Sequence, residues 1–281
     1  MNIARPGNPA VVTTRPPRMK RLLVPVLLAL LGVSACGSGQ AAAGVPADPL
    51  ALVGSWSVAG TGQRVRLDPS GFEIVDGCRT LTGTWRADPG GRFLATVDSV
   101  VPCPDGSGAD TTTPGWPAAA RGFAVEAVDR VLRDGAGAEL IRLQPAPASR
   151  TGQIDPSRPP TEKERAAAGP AAPLPPGAVP AGPAQLVGRW KPADAPGNPF
   201  VAFAQDGTWT GSDGCNGTGG TWTAGPDGAF LASTLSLSTL IGCPGTDVAD
   251  SVRAARTASL DGPALVLRDV TGAELARYNR G

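Results

Sequence analysis

The chain has 281 residues, enough for two ordinary domains, and its 38 glycines and 30 prolines favour short strands and turns over long helices. It contains no histidine, the commonest general base and metal ligand, so we predict a protein that is not an enzyme and holds no metal or cofactor. Five basic residues and no acidic residue precede Cys36, and the remainder carries 20 basic and 24 acidic residues, a weakly acidic balance that disfavours nucleic-acid binding.

Residues 1–35 have the organisation of an export signal. Arg18, Lys20 and Arg21 form a basic segment, and the apolar run 22–31 follows directly. This run is too short to span a bilayer as a mature helix, but it suits the apolar core of a signal peptide. We therefore predict that residues 1–35 direct export and are then removed.

The end of this signal predicts a lipid anchor. The segment 33–36, Val-Ser-Ala-Cys, resembles the lipobox of bacterial lipoproteins, which implies that Cys36 is acylated and becomes the new N-terminus. The alternative is a plain secretory signal with an incidental cysteine. We predict a tether over 36–51 and attachment to the extracytoplasmic face of the cell membrane. Met1 and Met19 are both possible translation starts.

Short blocks of sequence recur in the same order in two parts of the chain. Leu-Val-Gly-x-Trp at 52–56 returns at 186–190, and the Asp-Gly-Cys turn with its following Gly-x-Trp, at 76–85, returns at 213–222. Val-Leu-Arg-Asp and Gly-Ala-Glu-Leu recur near the two ends. The nearly constant spacing predicts a duplication, with domains at 52–143 and 186–281 and a Pro/Ala-rich linker over 144–185.

The five cysteines fit this organisation. Cys36 accounts for the odd one, and the other four, which are Cys78, Cys103, Cys215 and Cys243, allow three pairings. The duplication favours one disulfide in each copy, Cys78 with Cys103 and Cys215 with Cys243. A zinc site is disfavoured, because no two cysteines are close in sequence and histidine is missing.

We predict little helix in the first copy and in the linker. In the first copy, residues 117–121 offer only a stub of helix. The linker cannot bury enough apolar surface to order itself and is predicted to be a semi-rigid spacer, with at most two helical turns at 161–168.

The second copy shows mostly strand signals. Predicted strands lie at 200–203, 208–210, 221–223, 230–232, 265–267 and 274–278, joined by glycine-containing turns such as Asp206-Gly207. One helix is predicted over 246–258, capped by Thr246 or Asp247, with Val248, Val252 and Ala255 on one face.

The second copy resembles the META domain of bacterial heat-shock lipoproteins and related envelope proteins. The resemblance rests on Leu-Val-Gly-x-Trp at 186–190, Asp206-Gly207, Gly214-Cys215-Asn216, Gly220-x-Trp222, 238–243 and the Leu/Asp/Gly pattern of 265–275. The first copy matches less well, since Arg79 stands where the turn has Asn. The resemblance implies a mainly β (α+β) chain of two tandem, small, antiparallel β-barrel-like domains, each with about one helix. It implies no enzymatic activity.

Three residues outside the duplicated core pattern are candidates for a contact surface. Trp56, Trp85, Trp190 and Trp222 recur in both copies and are predicted to pack in the cores. Trp209 and Trp116 have no counterpart and are predicted to lie at a contact surface. Asn216 is a third candidate, although Asn also suits the left-handed backbone of a turn, and Asp213 is interpreted as a turn former.

These features predict a binding protein of the cell envelope, with a role in envelope maintenance or stress tolerance. Lys163 and Lys191 are the only lysines after Cys36, and neither lies beside a candidate nucleophile. One alternative is a carrier of a small apolar ligand in the barrel interior, which small residues at Ala202, Ala204 and Ala232 would indicate. The other is an inhibitor of an exported hydrolase. The predicted partners are the membrane, through the lipid on Cys36, and an envelope protein or a small apolar ligand.

Overall fold

Short strands joined by tight turns build the chain, as its glycine and proline content favours. A computed structural model describes residues 47–105, 114–147, 154–192, 197–235 and 247–281. We call 47–147 the first half, 154–185 the connecting segment and 186–281 the second half.

The strands fall into two sets. The first half contains, among its described residues, β1 Gly54–Val58, β2 Arg64–Leu67, β3 Phe72–Asp76, β4 Arg79–Ala87, β5 Phe93–Val101, β6 Gly122–Glu126, β7 Asp129–Arg133 and β8 Glu139–Pro145. The later described part contains β9 Val179–Pro180, β10 Gly188–Pro192, β11 Phe200–Phe203, β12 Thr208–Ser212, β13 Gly217–Ala224, β14 Phe230–Ala232, β15 Thr257–Asp261, β16 Ala264–Arg268 and β17 Glu274–Arg280.

The helices are short. A 3-10 turn covers Pro49–Leu52, and the α-helices are α1 Trp116–Ala119, α2 Glu162–Ala168, α3 Pro183–Leu186 and α4 Val248–Ala254. In the described ranges, none of the helices has the length and apolar character needed to cross a membrane.

The two sheets have the same strand order. In the described residues the first runs β5-β4-β3-β2-β1-β8-β7-β6, and the second runs β14-β13-β12-β11-β10-β17-β16-β15-β9, with every neighbouring pair antiparallel. Apart from β9, each strand of the second sheet corresponds to the strand of the first sheet whose number is lower by nine, so β10 corresponds to β1 and β17 to β8. The mainly β prediction is confirmed.

The described strands do not form closed barrels. The first sheet has β5 and β6 as its edges, and the backbone N–H of Phe93 donates to Arg121 O (3.0 Å) while that of Phe123 donates to Gly91 O (2.8 Å). The second sheet has the matching contact, from Phe230 N to Arg256 O at 2.8 Å. The edges are therefore bridged near one end, and the prediction of tandem barrel-like domains is not confirmed by the described strands.

Each sheet encloses its own core, and tryptophans tie the strands to the neighbouring loops. The Nε1 of Trp56 donates to Leu52 O (2.8 Å), and the Nε1 of Trp190 donates to Leu186 O (2.7 Å). Trp85 and Trp222 donate in the same way to the hairpin turns of their own halves. All four are buried, as predicted, and each has a partner for its N–H group.

Most local predictions for the second half are confirmed. The strand, turn and strand pattern around Asp206-Gly207 forms β11 and β12, and the predicted final hairpin forms β16 and β17. The helix prediction is right at its start, where the Asp247 carboxylate accepts from Asp250 N at 2.8 Å. It is wrong at its end, because residues 257–261 form β15. There, pairing with β16 outweighs the helical pattern.

The connecting segment packs against the second half, which differs from the predicted spacer. β9 pairs with β15, and the backbone N–H of Ala172 donates to Val270 O at 2.9 Å. Ala181 is fully buried in the second core. The proline-rich chain is held because the outer edge of β15 offers backbone groups that need partners.

Within the connecting segment, α2 begins with a capping box. The Thr161 hydroxyl accepts from Glu164 N (3.2 Å), and the Glu164 carboxylate accepts from Thr161 N (2.8 Å). Arg158 also donates to both Glu164 oxygens, at 2.8 and 3.0 Å.

These contacts predict an acid-sensitive helix start. The Arg158 hydrogen bonds, followed by those of Thr161, lower the pKa of Glu164 to about 2. Because the folded-state pKa is depressed, the stabilisation is complete above the unfolded-state pKa of about 4.3 and is lost as pH falls toward 2. An NMR titration of the Glu164 side chain should give a midpoint below 3 in the wild type. Arg158→Gln should return it toward 4, and an unchanged midpoint in that variant would contradict the assignment.

Candidate functional site

Trp209 and Trp116 do not lie on a contact surface, so that prediction is wrong. Trp209 is 1% exposed, and its Nε1 donates to Ser233 O at 2.8 Å. Trp116 is 8% exposed and packs 6.5 Å from Phe72, ring centre to ring centre. Phe72 occupies in β3 the place of Trp209 in β12, so the first half fills with two aromatic rings what the second fills largely with one. A tryptophan without a counterpart therefore reflects different side-chain packing in the two cores.

Asn216 lies in a turn built around Asp213. The Asp213 carboxylate accepts from Cys215 N (2.7 Å), Asn216 N (2.6 Å) and Asn216 Nδ2 (2.8 Å). The Asn216 side-chain bond, followed by the backbone bonds, holds the pKa of Asp213 below its ordinary value. The turn-forming interpretation of Asp213 is confirmed, and Asn216 is committed to the same turn. Its role in a surface contact stays a prediction.

The cysteine pairing is confirmed where it is described. Cys78 and Cys103 form a disulfide with their Cα atoms 5.1 Å apart. Asp105 lies near both sulfurs, but disulfide sulfurs lack the thiolate that binds metals. Cys215 is also disulfide-bonded, and both Cys243 and Cys36 lie outside the described residues.

The two halves touch through β5 and β13 and through β4 and β14. Thr84 Oγ1 donates to Thr234 O at 2.7 Å, and the hydroxyls of Thr96 and Ser233 are hydrogen-bonded to each other. These contacts hold one sheet against the other and leave a cavity beside them.

This cavity has a volume of about 610 Å³, within the range of small-molecule sites. Its walls come from the end of β4, helix α2, the chain after β14, and helix α4 with the residue Arg256 that follows it. The apolar part of the wall includes Leu50, Trp85, Ala167 and Leu235.

The charged part of the wall is mainly basic. The basic side chains are Arg86, Lys163, Arg253 and Arg256, and the acidic ones are Glu164 and Asp250. Both carboxylates are already paired, Glu164 with Arg158 at 2.8 Å and Asp250 with Arg253 at 2.9 Å. The cavity therefore keeps positive charge that its own acidic residues do not balance.

Arg86 combines a buried nitrogen that lacks a hydrogen-bond partner with the absence of a described carboxylate neighbour. Its Nε is buried and has no hydrogen-bond partner, and no described carboxylate oxygen lies within 4.0 Å of its guanidinium nitrogens. Burial, followed by repulsion from Arg256 and Arg253, lowers the pKa of Arg86 to about 9. Its positive charge is thus held at a cost to stability.

Arg256, in the second half, contacts both the first half and the connecting segment at the cavity. Its side chain is nearly buried and donates to Ala87 O (3.5 Å) in the first half and to Ala167 O in α2. Burial is the main cause that lowers the pKa of Arg256, and the nearby Asp88 opposes that shift. Sequence reasoning missed both Arg86 and Arg256, because no local pattern connects two arginines that are 170 positions apart.

Residues 185–281, which extend from just before β10 to the end of β17, match a META domain. Searches of the curated proteins and of the solved structures found no match to the chain. The META domain supplies Arg253 and Arg256 to the cavity, whereas Arg86 and Lys163 come from outside it. The basic cavity is therefore a feature of this whole arrangement and not of the META domain alone.

Proposed function

We propose that this chain is a membrane-anchored lipoprotein of the cell envelope that acts by binding and not by catalysis, in envelope maintenance or stress tolerance. The observation that carries the proposal is the Cys78–Cys103 disulfide, because such bonds persist mainly in oxidising compartments outside the cytoplasm. The signal-like residues 1–35 and the Cys36 lipobox support the same location.

We also propose that residues 52–143 are a second, divergent META-type domain. The shared strand order supports this, as do the equivalent hydrogen bonds of Trp56 and Trp190 to the carbonyls four residues before them. Arg79 stands where the META turn has Asn and makes a 3.0 Å ion pair with Asp76, whereas Asn216 donates a hydrogen bond to Asp213 in the second half.

The carrier alternative depended on small residues in the barrel interior, and the second half offers little support for it. Ala232 is buried, but Ala202 is only half-buried and Ala204 is exposed. The interior is filled by large buried side chains that include Trp190, Trp209 and Tyr278. The inhibitor alternative has no specific supporting feature among the described residues.

Replacing the anchor residue tests the proposal. Cys36→Ser should move the protein from the membrane fraction to the soluble extracytoplasmic fraction and abolish incorporation of a palmitate analogue, because a serine hydroxyl does not replace the acylated thiol. Ser38→Ala, two positions later, is the control and should remain membrane-bound and labelled. Equal membrane retention and labelling of Cys36→Ser would reject the lipid anchor.

A further inference from the structure

Three arginines of the first half that have little exposure to solvent each pair with a carboxylate. Arg66 in β2 meets Glu73 in β3 at 2.7 Å, with both side chains almost fully covered. Arg79 pairs with Asp76 at 3.0 Å, and Arg92 pairs with Asp88 at 2.7 Å. Arg86 and Arg256 depart from this pattern, because no described carboxylate oxygen lies within 4.0 Å of either guanidinium, and the buried Nε of Arg86 also has no hydrogen-bond partner. Arg86 is half-buried, and a ligand of opposite charge would offset the cost of holding its unpaired charge at this site.

We propose that the cavity between the halves binds a phosphate-bearing ligand, held by Arg86 with Arg256 as the second positive group. This inference rests on the proposed binding function and names the chemistry of its ligand. A guanidinium presents its N–H donors in a fork that matches phosphate oxygens, so one bound phosphate group supplies the acceptors that Arg86 lacks.

The other wall residues agree with an anion of this kind. Glu164 and Asp250 already have arginine partners, so they do not neutralise Arg86. Lys163 adds a further positive charge at the same wall. The volume of about 610 Å³ exceeds what a single phosphate ion needs, and the apolar residues Leu50 and Leu235 line the remaining space. The ligand is either free phosphate or the phosphate headgroup of a lipid or other amphiphile, which share this chemistry.

Arg86 also permits a clean test, because its side chain makes no hydrogen bond that the described fold would lose. Arg86→Gln removes the charge and the guanidinium fork, and it relieves repulsion with Arg256 and Arg253. The ligand-free variant should therefore unfold at the same temperature as the wild type or at a higher one. A merely structural arginine would give the opposite shift. Arg64→Gln is the control, since Arg64 is exposed in β2 and does not line the cavity.

The full chain, purified in a neutral detergent, is titrated by calorimetry at constant ionic strength maintained with potassium chloride. The probes are inorganic phosphate, glycerol 1-phosphate and micelles that contain phosphatidylglycerol. We expect the wild type and Arg64→Gln to bind at least one probe saturably and Arg86→Gln to bind it about tenfold more weakly or worse. Saturation by inorganic phosphate assigns a free phosphate, and saturation only by the lipid micelles assigns a headgroup.

Two results would overturn the proposal: no saturable binding of any probe by the wild type, or equal binding by the wild type and Arg86→Gln. A lower unfolding temperature of ligand-free Arg86→Gln would also overturn it, since it would show that the guanidinium supports the fold. These failures leave the lipid anchor untouched, because fractionation of Cys36→Ser tests that separately.

Discussion

Gly220→Ala is expected to destabilise the second half by about 2–3 kcal/mol, although the change adds only a methyl group. A Cβ at this position would overlap the Ser233 carbonyl oxygen and lie 2.8 Å from its carbonyl carbon and 3.0 Å from Trp209 Nε1. Both Ser233 atoms are backbone, so they cannot move away as a flexible side chain would. The same carbonyl accepts the 2.8 Å hydrogen bond from Trp209, and displacing it breaks that bond as well.

Gly217→Ala is the matched control, since it lies on the same strand β13 and a Cβ there meets nothing within 4 Å. It should be neutral or stabilise the fold by up to about 1 kcal/mol, because alanine has fewer conformations than glycine in the unfolded chain. Urea unfolding followed by tryptophan fluorescence and by hydrogen exchange in β12–β14 measures both variants. Equal stability of the two would contradict the close approach at Gly220.

Substitution of Gly83 by alanine is expected to destabilise the first half in the same way. A Cβ there would overlap the Thr96 carbonyl oxygen and lie 2.7 Å from the Phe72 ring. Gly83 precedes Trp85 by two residues, as Gly220 precedes Trp222. Gly83→Ala should therefore lose protection in β3–β5 while the second half stays protected.

Loss of the Cys78–Cys103 disulfide is expected to destabilise the first half by about 3 kcal/mol. The bond closes a loop with a sequence separation of 25, and on the chain-entropy model a loop of this size restricts the unfolded chain by about that amount. The loop contains β4 and β5, whose pairing also shapes the contact with the second half. The double variant Cys78→Ser, Cys103→Ser should accordingly lose hydrogen-exchange protection in β4 and β5.

Reduction of the wild type provides the comparison. Dithiothreitol should lower the protection of β4 and β5 in the wild type to the level of the double variant, and it should change those strands little in the variant itself. Full protection of β4 and β5 in the variant would show that the bond adds nothing to the stability of this half.

The contact-site predictions failed for a specific reason. Trp209 and Trp116 were set apart because neither recurs in the other copy, but their lack of recurrence reflects two ways of filling one core position. Phe72 stands at the position of Trp209 in the strand register, and in the first core its ring packs against Trp116. Such compensation depends on which side chains meet across a core, and a comparison of equivalent sequence positions does not reveal it.

The connecting segment is a second place where the prediction from sequence failed because tertiary contacts decide the structure. Its composition predicted a spacer because it has too little apolar surface to order itself alone. In the fold it does not order itself alone, since β15 provides backbone partners for β9, and the second core accepts Ala181.

By itself, the sequence determined most strands and turns of the second half, the repeated order of the blocks, the burial of the four recurring tryptophans and the Cys78–Cys103 pairing, but neither β9 nor β15. These depend on local alternation, on turn residues and on the repetition of short blocks, all of which can be read along the chain. Only the tertiary structure decided that Arg86 and Arg256 line one cavity and that the Ser233 carbonyl lies against Gly220. Those relations join residues that are distant in sequence, and they exist only once strand pairing and packing bring separate segments together.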